Sequence, residues 1–233
     1  YVPAAGLFDL PFVFKDNETA AAILDGDIGQ SVLKEFDRYG VKALAWGEGG
    51  FRHLVTKEKE VRVPQDFKGL KIRCMETESY IATYGALGTN AVPMAWSETI
   101  TGLQQGTIDG LDIPISVTYT NGFPDIAKYL NMTGHFYSPL IICVSGELYD
   151  ELSPEEQTLL REAAVEAGKL SRKNNAELET VMLEEMEADG MTVVRDVDTA
   201  AFQEVLGSFY AERAETIGGT YVEDLLKALE KME

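Results

Sequence analysis

The stretch GTNAVPMAWSETITGLQQGTIDGLDIP, residues 88–114, predicts a strand, a helix and a second strand in close succession. NAVPM is a short extended run, and Ser97 is the predicted N-cap of the helix because its hydroxyl can accept a hydrogen bond from a free backbone N–H group. The helix is predicted to end at Gly106, since glycine readily adopts the positive φ of a helix C-terminus. TIDGLDIP then returns as a strand, so this stretch indicates an α/β fold.

Strand-like and helix-like patterns also alternate on both sides of this stretch. Apolar spacing predicts helices over residues 17–38, 77–87, 198–216 and 220–231. The glycine-rich GEGG at 47–50 is predicted to be a turn between two strands. LIICVS at 140–145 is nearly all apolar and is predicted to be a strand buried on both faces. The other predicted strands are LFDLPFVF (7–14), VKALAWG (41–47), RHLVT (52–56), GLKIRCM (69–75), YLNMTG (129–134) and MTVVR (191–195).

A single very long helix is predicted over the segment that begins at Ser153 and ends before Gly190. Ser153 and Glu156 have the spacing of a capping box, and Pro154 occupies the first helical position. Such a helix would be about 50 Å long, whereas a compact globule of this chain length has a radius of gyration of about 17 to 18 Å. The helix is therefore expected to lie across more than one lobe.

The composition is that of a globular protein with a strong acidic excess. Of 233 residues, 45% are hydrophobic and 25% are charged, and 20 basic against 39 acidic side chains give a formal net charge of −19. This charge repels phosphate backbones and anionic membrane surfaces, so no nucleic-acid partner is expected. The longest apolar runs are only strand-sized, so no direct membrane insertion is expected. The chain begins with Tyr1 and not Met, which indicates a processed, engineered or lost start, and any secretory signal would have gone with it.

The common local signatures of catalysis and of cofactor binding are missing from the sequence. It contains no G-x-S-x-G, H-E-x-x-H, C-x-x-C or P-loop pattern. The only histidines are His53 and His135, and neither has carboxylates placed to complete a metal centre, so no metal and no cofactor are expected. Cys74 and Cys143 lie in apolar, strand-like surroundings that predict buried free thiols, although a disulfide between them stays open.

Arg73 is the most informative charged residue, because it interrupts the apolar strand GLKIRCM. Strand alternation turns its side chain either to solvent or into a cleft at the carboxyl end of the strand. In a cleft, its guanidinium group could bind a ligand carboxylate through two hydrogen bonds. Both interpretations stand on the position alone.

The stretch FKGLKIR (67–73), followed by residues 88–114, resembles the substrate-binding subunits of TRAP transporters, the tripartite ATP-independent periplasmic transporters. LFDLPFVF, GFR at 50–52 and the long helix are similar as well, so the likeness covers essentially the whole chain. The resemblance implies an α/β protein with a two-lobed periplasmic-binding-protein-like fold, crossing strands and a long lobe-spanning helix. Such receptors close around a small organic acid in the periplasm and deliver it to membrane permease subunits driven by an ion gradient.

The resemblance also implies an outline of the lobes along the chain. Residues 1–45 would be the remainder of lobe 1, which is expected to be incomplete at its N-terminus, and residues 46–115 would form mainly lobe 2 with crossing strands. Residues 116–150 would return towards lobe 1, residues 151–190 would form the lobe-spanning helix, and residues 191–233 would supply a C-terminal strand and helices.

Ligand-binding residues follow from the same resemblance. Arg73 matches the arginine that holds the ligand carboxylate, Arg52 matches a supporting arginine, and Trp96 matches an aromatic residue that lines the ligand. Asp112 stands where the family usually has Glu. Ile113 stands where it usually has Asn, and this replacement of an amide by a hydrocarbon predicts a less polar pocket. The full predicted ligand-binding set is Arg73, Arg52, Trp96, Ile113, Asp112, Glu76, Met94 and Tyr137.

Two rival functions stay open beside a transport receptor. One is a ligand-sensing module for a signalling partner. The other, less favoured, is an enzyme on the same fold, for which Glu76 and Asp112 are the candidate acid–base pair. The ligand could be a sugar acid, a dicarboxylate, an aromatic 2-oxo acid or an amino acid.

Overall fold

The computed structural model describes residues 2–232, which divide into two compact units. Unit 1 contains residues up to 50, Ser138–Glu177 and residues from 210 onward, and unit 2 contains Phe51–Tyr137 and Leu178–Phe209. Strands and helices alternate along the described chain, as the sequence predicts, and the α/β class is confirmed. None of its helices is both long enough and apolar enough to cross a membrane.

A mixed sheet with the strand order β3-β2-β4-β1-β5-β6 organises the chain. Strand β2 runs parallel to β3 and β4, β1 runs antiparallel to β4, and β5 runs parallel to β6. Two of the strands, β1 and β5, are long enough to contribute residues to both units. The strands are β1 (Val41–Thr56), β2 (Lys71–Cys74), β3 (Asn90–Pro93), β4 (Gly110–Pro114), β5 (Tyr129–Ser145) and β6 (Thr192–Val194).

Helices fill the intervals between these strands and form the C-terminal region. Short 3₁₀ helices are formed by Pro3–Asp9, Phe36–Tyr39 and Phe123–Asp125. The α-helices are α1 (Asn17–Asp25), α2 (Asp27–Glu35), α3 (Pro64–Phe67), α4 (Glu78–Ala86), α5 (Trp96–Gln105), α6 (Ile115–Thr120), α7 (Gly146–Glu151), α8 (Pro154–Ala188), α9 (Thr199–Leu206), α10 (Phe209–Ile217) and α11 (Tyr221–Glu230).

Helix α8 confirms the long helix and its capping box. The Ser153 N–H donates to Oε2 of Glu156 at 2.8 Å, and the Glu156 N–H donates to Oγ of Ser153 at 3.3 Å. In unit 1, the helix lies directly against β1 at Gly168, where a Cβ atom would stand 2.2 Å from the Trp46 carbonyl oxygen. Glycine is therefore needed at this position for the close approach.

The core of unit 2 places the strands that carry the candidate site. Leu111 and Ile113 of β4 are buried in one hydrophobic cluster with Val55 of β1 and Met186 of α8. Gly110, at the start of β4, lies so close to β1 that a Cβ atom would come within 2.5 Å of the Val55 carbonyl oxygen. The Asp-Gly turn seen in the sequence thus brings β4 into register between β1 and β2.

Several predicted strands are wrong in kind or in length. LFDLPFVF is not a strand: its first residues belong to the 3₁₀ helix Pro3–Asp9, and the rest is irregular chain. Most of its apolar side chains are nevertheless buried, and a short apolar run does not distinguish a buried strand from a buried helical turn. GEGG is not a turn: it lies within β1 and joins the two strands predicted on either side of it. The predicted strands 129–134 and 140–145 are likewise one strand, β5. Only one face of 140–145 is covered, because Ile142 and Val144 pack on the small core of unit 1 while Cys143, on the opposite face, is exposed.

Some predicted helix boundaries also need correction. Ser97 is not the N-cap of α5: the helix begins at Trp96 with Ala95 as its cap, and Thr99 Oγ1 donates to the Ala95 carbonyl at 3.1 Å. The predicted helix 17–38 is interrupted where Gly26 is extended, and the predicted helix 198–216 is interrupted at Gly207.

Candidate functional site

Arg73 lies in unit 2 at the carboxyl end of β2, between its register partners Leu111 and Val92. Only 5% of the residue is exposed, so the solvated alternative considered from the sequence is wrong. Its Nε donates to the Met94 carbonyl at 3.0 Å, and its guanidinium carbon lies 5.8 Å from the ring centroid of Trp96. Within residues 2–232, its two terminal nitrogens donate no hydrogen bond. Burial lowers the pKa of this guanidinium.

Arg52 is held in a buried ion pair with Asp112. Its Nε donates to Oδ2 of Asp112 at 2.5 Å, and its Nη2 donates to the Asp112 backbone carbonyl at 2.6 Å. The two side chains are 8% and 0% exposed. Burial alone would lower the pKa of Arg52, but the Asp112 carboxylate and the Tyr80 hydroxyl more than offset it, and the pKa is raised. The Tyr80 ring centroid lies 5.6 Å from the guanidinium carbon, which gives a cation–π contact.

A chain of buried polar side chains continues from this pair. Tyr84 Oη and His135 Nε2 are 2.7 Å apart, and His135 Nδ1 and Thr133 Oγ1 are 2.6 Å apart. The Leu54 N–H donates to Thr133 Oγ1 at 3.1 Å, and this hydrogen bond connects the series of polar side chains to β1. Burial lowers the pKa of His135 to about 4, so its ring is neutral near pH 7. Burial and the nearby Asp112 charge both raise the pKa of Tyr84.

The structure brings part of the predicted ligand-binding set into direct contact. Arg73, Met94 and Trp96 form one contact group, and Arg52 and Asp112 form another. Trp96 is 41% exposed, which leaves part of its ring accessible in unit 2. The ligand-contact roles of these residues stay predictions.

The remaining predicted residues have other surroundings. Ile113 is 2% exposed and packs in the hydrophobic core of unit 2. Glu76 is exposed, and Tyr137 is buried with its ring centroid 5.2 Å from that of Phe51. Glu76 therefore lies in water and Asp112 is committed to Arg52, which makes them a poor acid–base pair.

The cysteines and possible metal ligands can be placed as well. Cys74 is a buried free thiol, as predicted, and burial raises its pKa to about 11. Cys143 is also free, but it is exposed, so the prediction of its burial is wrong. Across residues 2–232, no three His, Cys, Asp or Glu side chains come together in a way that could hold a metal ion.

Sequence reasoning missed the buried polar chain of Tyr84, His135 and Thr133. Tyr84 and His135 are 51 residues apart in the chain, and no local pattern joins them. The one available signal was that His135 lies in a strand-like stretch, residues 129–145, that contains no charged side chain, so a buried imidazole there needs a hydrogen-bond partner.

The α/β chain has crossing strands, a 35-residue helix and two buried arginines, one of which lies beside an accessible aromatic ring. These are features of a solute-binding protein. The family comparison agrees. Residues 1–216 match the model of the bacterial extracellular solute-binding proteins, family 7, and the chain belongs to that family.

Relatives and solved structures extend this result. The chain is 37% identical to the 2,3-diketo-L-gulonate-binding periplasmic protein of Escherichia coli, over 88% of this chain and 63% of that protein. It is 30% identical to the C4-dicarboxylate-binding periplasmic protein of Rhodobacter capsulatus, over 91% of this chain and 64% of that protein. A TRAP periplasmic solute-binding protein from Polaromonas, solved with D-erythronate, matches with a TM-score of 0.93 and 36% identity, over 97% of this chain and 74% of that one.

These comparisons confirm the two-lobed TRAP receptor fold that the resemblance implied. The proteins in this group are solute-binding receptors and not enzymes. The chain spans just under two thirds of the length of these two curated relatives.

Proposed function

We propose that this protein is an extracytoplasmic solute receptor that binds a small organic acid and delivers it to the permease of a TRAP transporter. The observation that carries the proposal is Arg73, a buried guanidinium whose Nε is fixed by the Met94 carbonyl while its terminal nitrogens make no other hydrogen bond in the described chain. A carboxylate can accept two parallel hydrogen bonds from such a group.

The surroundings of Arg73 support binding rather than chemistry. Trp96 offers an accessible aromatic face beside the guanidinium. In this proposal, Arg73 holds the ligand carboxylate, Trp96 packs against the ligand, and Arg52 supports the site from its ion pair with Asp112. Closure of two lobes around the ligand, the periplasmic location and the delivery to membrane permease subunits belong to the same proposal and rest on family membership.

A ligand-sensing module is the second candidate. It would use the same site, since sensing and transport both begin with selective binding of the acid. The genes beside the coding sequence would discriminate between the two, because a receptor for transport is expected next to genes for permease subunits.

The test of binding begins with the protein as it is purified. Mass spectrometry of the supernatant after denaturation should recover a small acid at up to one molecule per protein chain. Thermal-shift measurements then test a panel of sugar acids, hydroxy acids, 2-oxo acids and dicarboxylates, with the matching neutral sugars and alcohols as controls. An acid that binds should raise the melting temperature, and the neutral compounds should leave it unchanged. If no acid is recovered and none stabilises the protein, the proposed function is wrong.

A further inference from the structure

Three buried charges in unit 2 act on one another and leave an excess of one positive charge. Arg73 is 5% exposed, Arg52 is 6% exposed and Asp112 is fully buried. Arg52 and Asp112 influence the pKa of Arg73 in opposite directions, as expected for nearby charges of opposite sign. The two guanidinium groups and one carboxylate thus sum to +1.

The neighbouring titratable groups do not change this sum near pH 7. His53 and His135 are buried and neutral, because burial lowers their pKa values to about 3 and about 4. The Cys74 thiol and the Tyr84 hydroxyl stay protonated, because burial raises the pKa of each. Glu76, the remaining acidic candidate, is exposed to water, where its charge is screened.

Burying a net charge in a medium of low dielectric constant is unfavourable unless a partner of opposite charge accompanies it. We infer that this cluster selects ligands that carry one negative charge, and that Asp112 sets this selectivity by neutralising Arg52. This inference rests on the proposed function. A monocarboxylate brings the buried cluster to a net charge of zero, whereas a dicarboxylate leaves it with one uncompensated negative charge.

Asp112 is positioned to set the charge through its ion pair with Arg52. Its Oδ2 and its backbone carbonyl both accept from Arg52, which commits the guanidinium to this residue. Asparagine is nearly the same size and keeps an oxygen for Arg52, but it removes the charge. In Asp112→Asn, the charges of the cluster would therefore sum to +2, which a dianion would neutralise.

The relatives do not decide this question, since one is named for a C4-dicarboxylate and a solved structure holds D-erythronate, a monocarboxylate. The inference about this chain depends on its own buried charges.

The experiment compares monoanions with dianions on the parent protein and on two variants at pH 7.5. The probes are D-erythronate and pantoate as monoanions, and succinate and L-malate as dianions, together with any acid recovered from the purified protein. Affinities are measured by calorimetry. For the parent, we expect the tightest acid to carry one carboxylate and to bind at least tenfold more tightly than the best dianion.

The variants test whether Asp112 sets the selectivity. In Asp112→Asn, the ratio of monoanion affinity to dianion affinity should fall at least tenfold. Asp112→Glu, which keeps the charge, should retain the preference of the parent. If Asp112→Asn does not fold, the parent measurements and the number of carboxyl groups in the recovered acid still decide the inference.

The possible failures are distinguishable. A parent that binds a dianion as tightly as its best monoanion, or a ratio that is unchanged in a folded Asp112→Asn variant, overturns the inference and leaves the proposed receptor function intact. If no acid of either charge binds and none is recovered, the receptor function fails, and the inference falls with it.

Discussion

Lowering the pH from 7 to 5 should destabilise this protein through its two histidines. His53 accepts a hydrogen bond from the Gly134 N–H at 3.0 Å, and His135 lies between the hydroxyls of Tyr84 and Thr133. Burial lowers the pKa of His53 to about 3 and that of His135 to about 4, from an ordinary value of 6.5. Near pH 5, the unfolded chain therefore binds about two protons more than the folded chain.

The sign and size of the effect follow from this difference. A base whose pKa is lowered by folding contributes stability that is fully present above its unfolded pKa and is lost as the pH falls below that value. From pH 7 to pH 5, each histidine should cost about 2 kcal/mol, so the pair should cost about 4 kcal/mol of the free energy of unfolding. Near pH 5, the slope should approach about 2.7 kcal/mol per pH unit.

Urea unfolding at pH 7, 6 and 5, at constant ionic strength, measures this loss. The variant His135→Gln serves as the comparison, because an amide can still form a hydrogen bond with Tyr84 but does not titrate. It should show about half of the pH dependence of the parent. The reasoning is refuted if the parent loses less than about 1 kcal/mol between pH 7 and pH 5, or if His135→Gln has the same pH dependence as the parent.

Three further predictions concern packing and thiol reactivity. Gly168→Ala should reduce the free energy of unfolding by about 1 to 3 kcal/mol, because its Cβ would meet the backbone of β1. Gly85→Ala in α4 has open space around it and should be neutral or stabilising, so equal losses in urea unfolding would contradict the packing argument. Ile113→Asn should cost at least about 2 kcal/mol in the same assay, since it buries an amide in the core, and a negligible loss would place residue 113 outside that core. Maleimide should label Cys143 in the folded protein and spare Cys74 until unfolding, and peptide mass spectra with equal labelling would contradict the burial of Cys74.

Elements with complete local signals could be predicted from the sequence. The long helix has a capping box at its start and glycine after its end, and both are present in α8. Helix α5 ends at Gly106, whose φ of 75° is the left-handed conformation expected of a glycine at that position. Local hydrogen bonding and backbone freedom determine these features, so a few adjacent residues contain enough information to predict them.

Elements that depend on distant partners could not be predicted in the same way. The apolar run LFDLPFVF satisfies a strand pattern as well as it satisfies buried 3₁₀ turns, and only its packing decides between them. The GEGG residues continue a strand because β5 lies alongside: a Cβ atom at Gly49 would come 3.2 Å from the Ser138 carbonyl oxygen.

The same limit applies to the candidate site. Arg73 could be singled out because it interrupts an apolar strand. The pairing of Arg52 with Asp112 could not be derived from sequence spacing, because 60 residues separate them and the antiparallel register of β1 and β4 brings them together. The charge sum at the site is therefore a property of the fold.

The most direct test of the receptor function is the affinity of the acid for the parent protein and for Arg73→Ala, measured by isothermal titration calorimetry. Losing one partner of a buried ion pair costs about 2 to 5 kcal/mol, so the dissociation constant should rise by roughly thirtyfold to several thousandfold. Arg73→Lys should recover little of this loss, because a single ammonium group cannot replace two parallel donors. Arg195→Ala, which removes an arginine from an exposed ion pair in unit 2, is the matched control and should leave the affinity unchanged. Near-parental affinity in a folded Arg73→Ala variant would contradict the claim that Arg73 holds the ligand carboxylate.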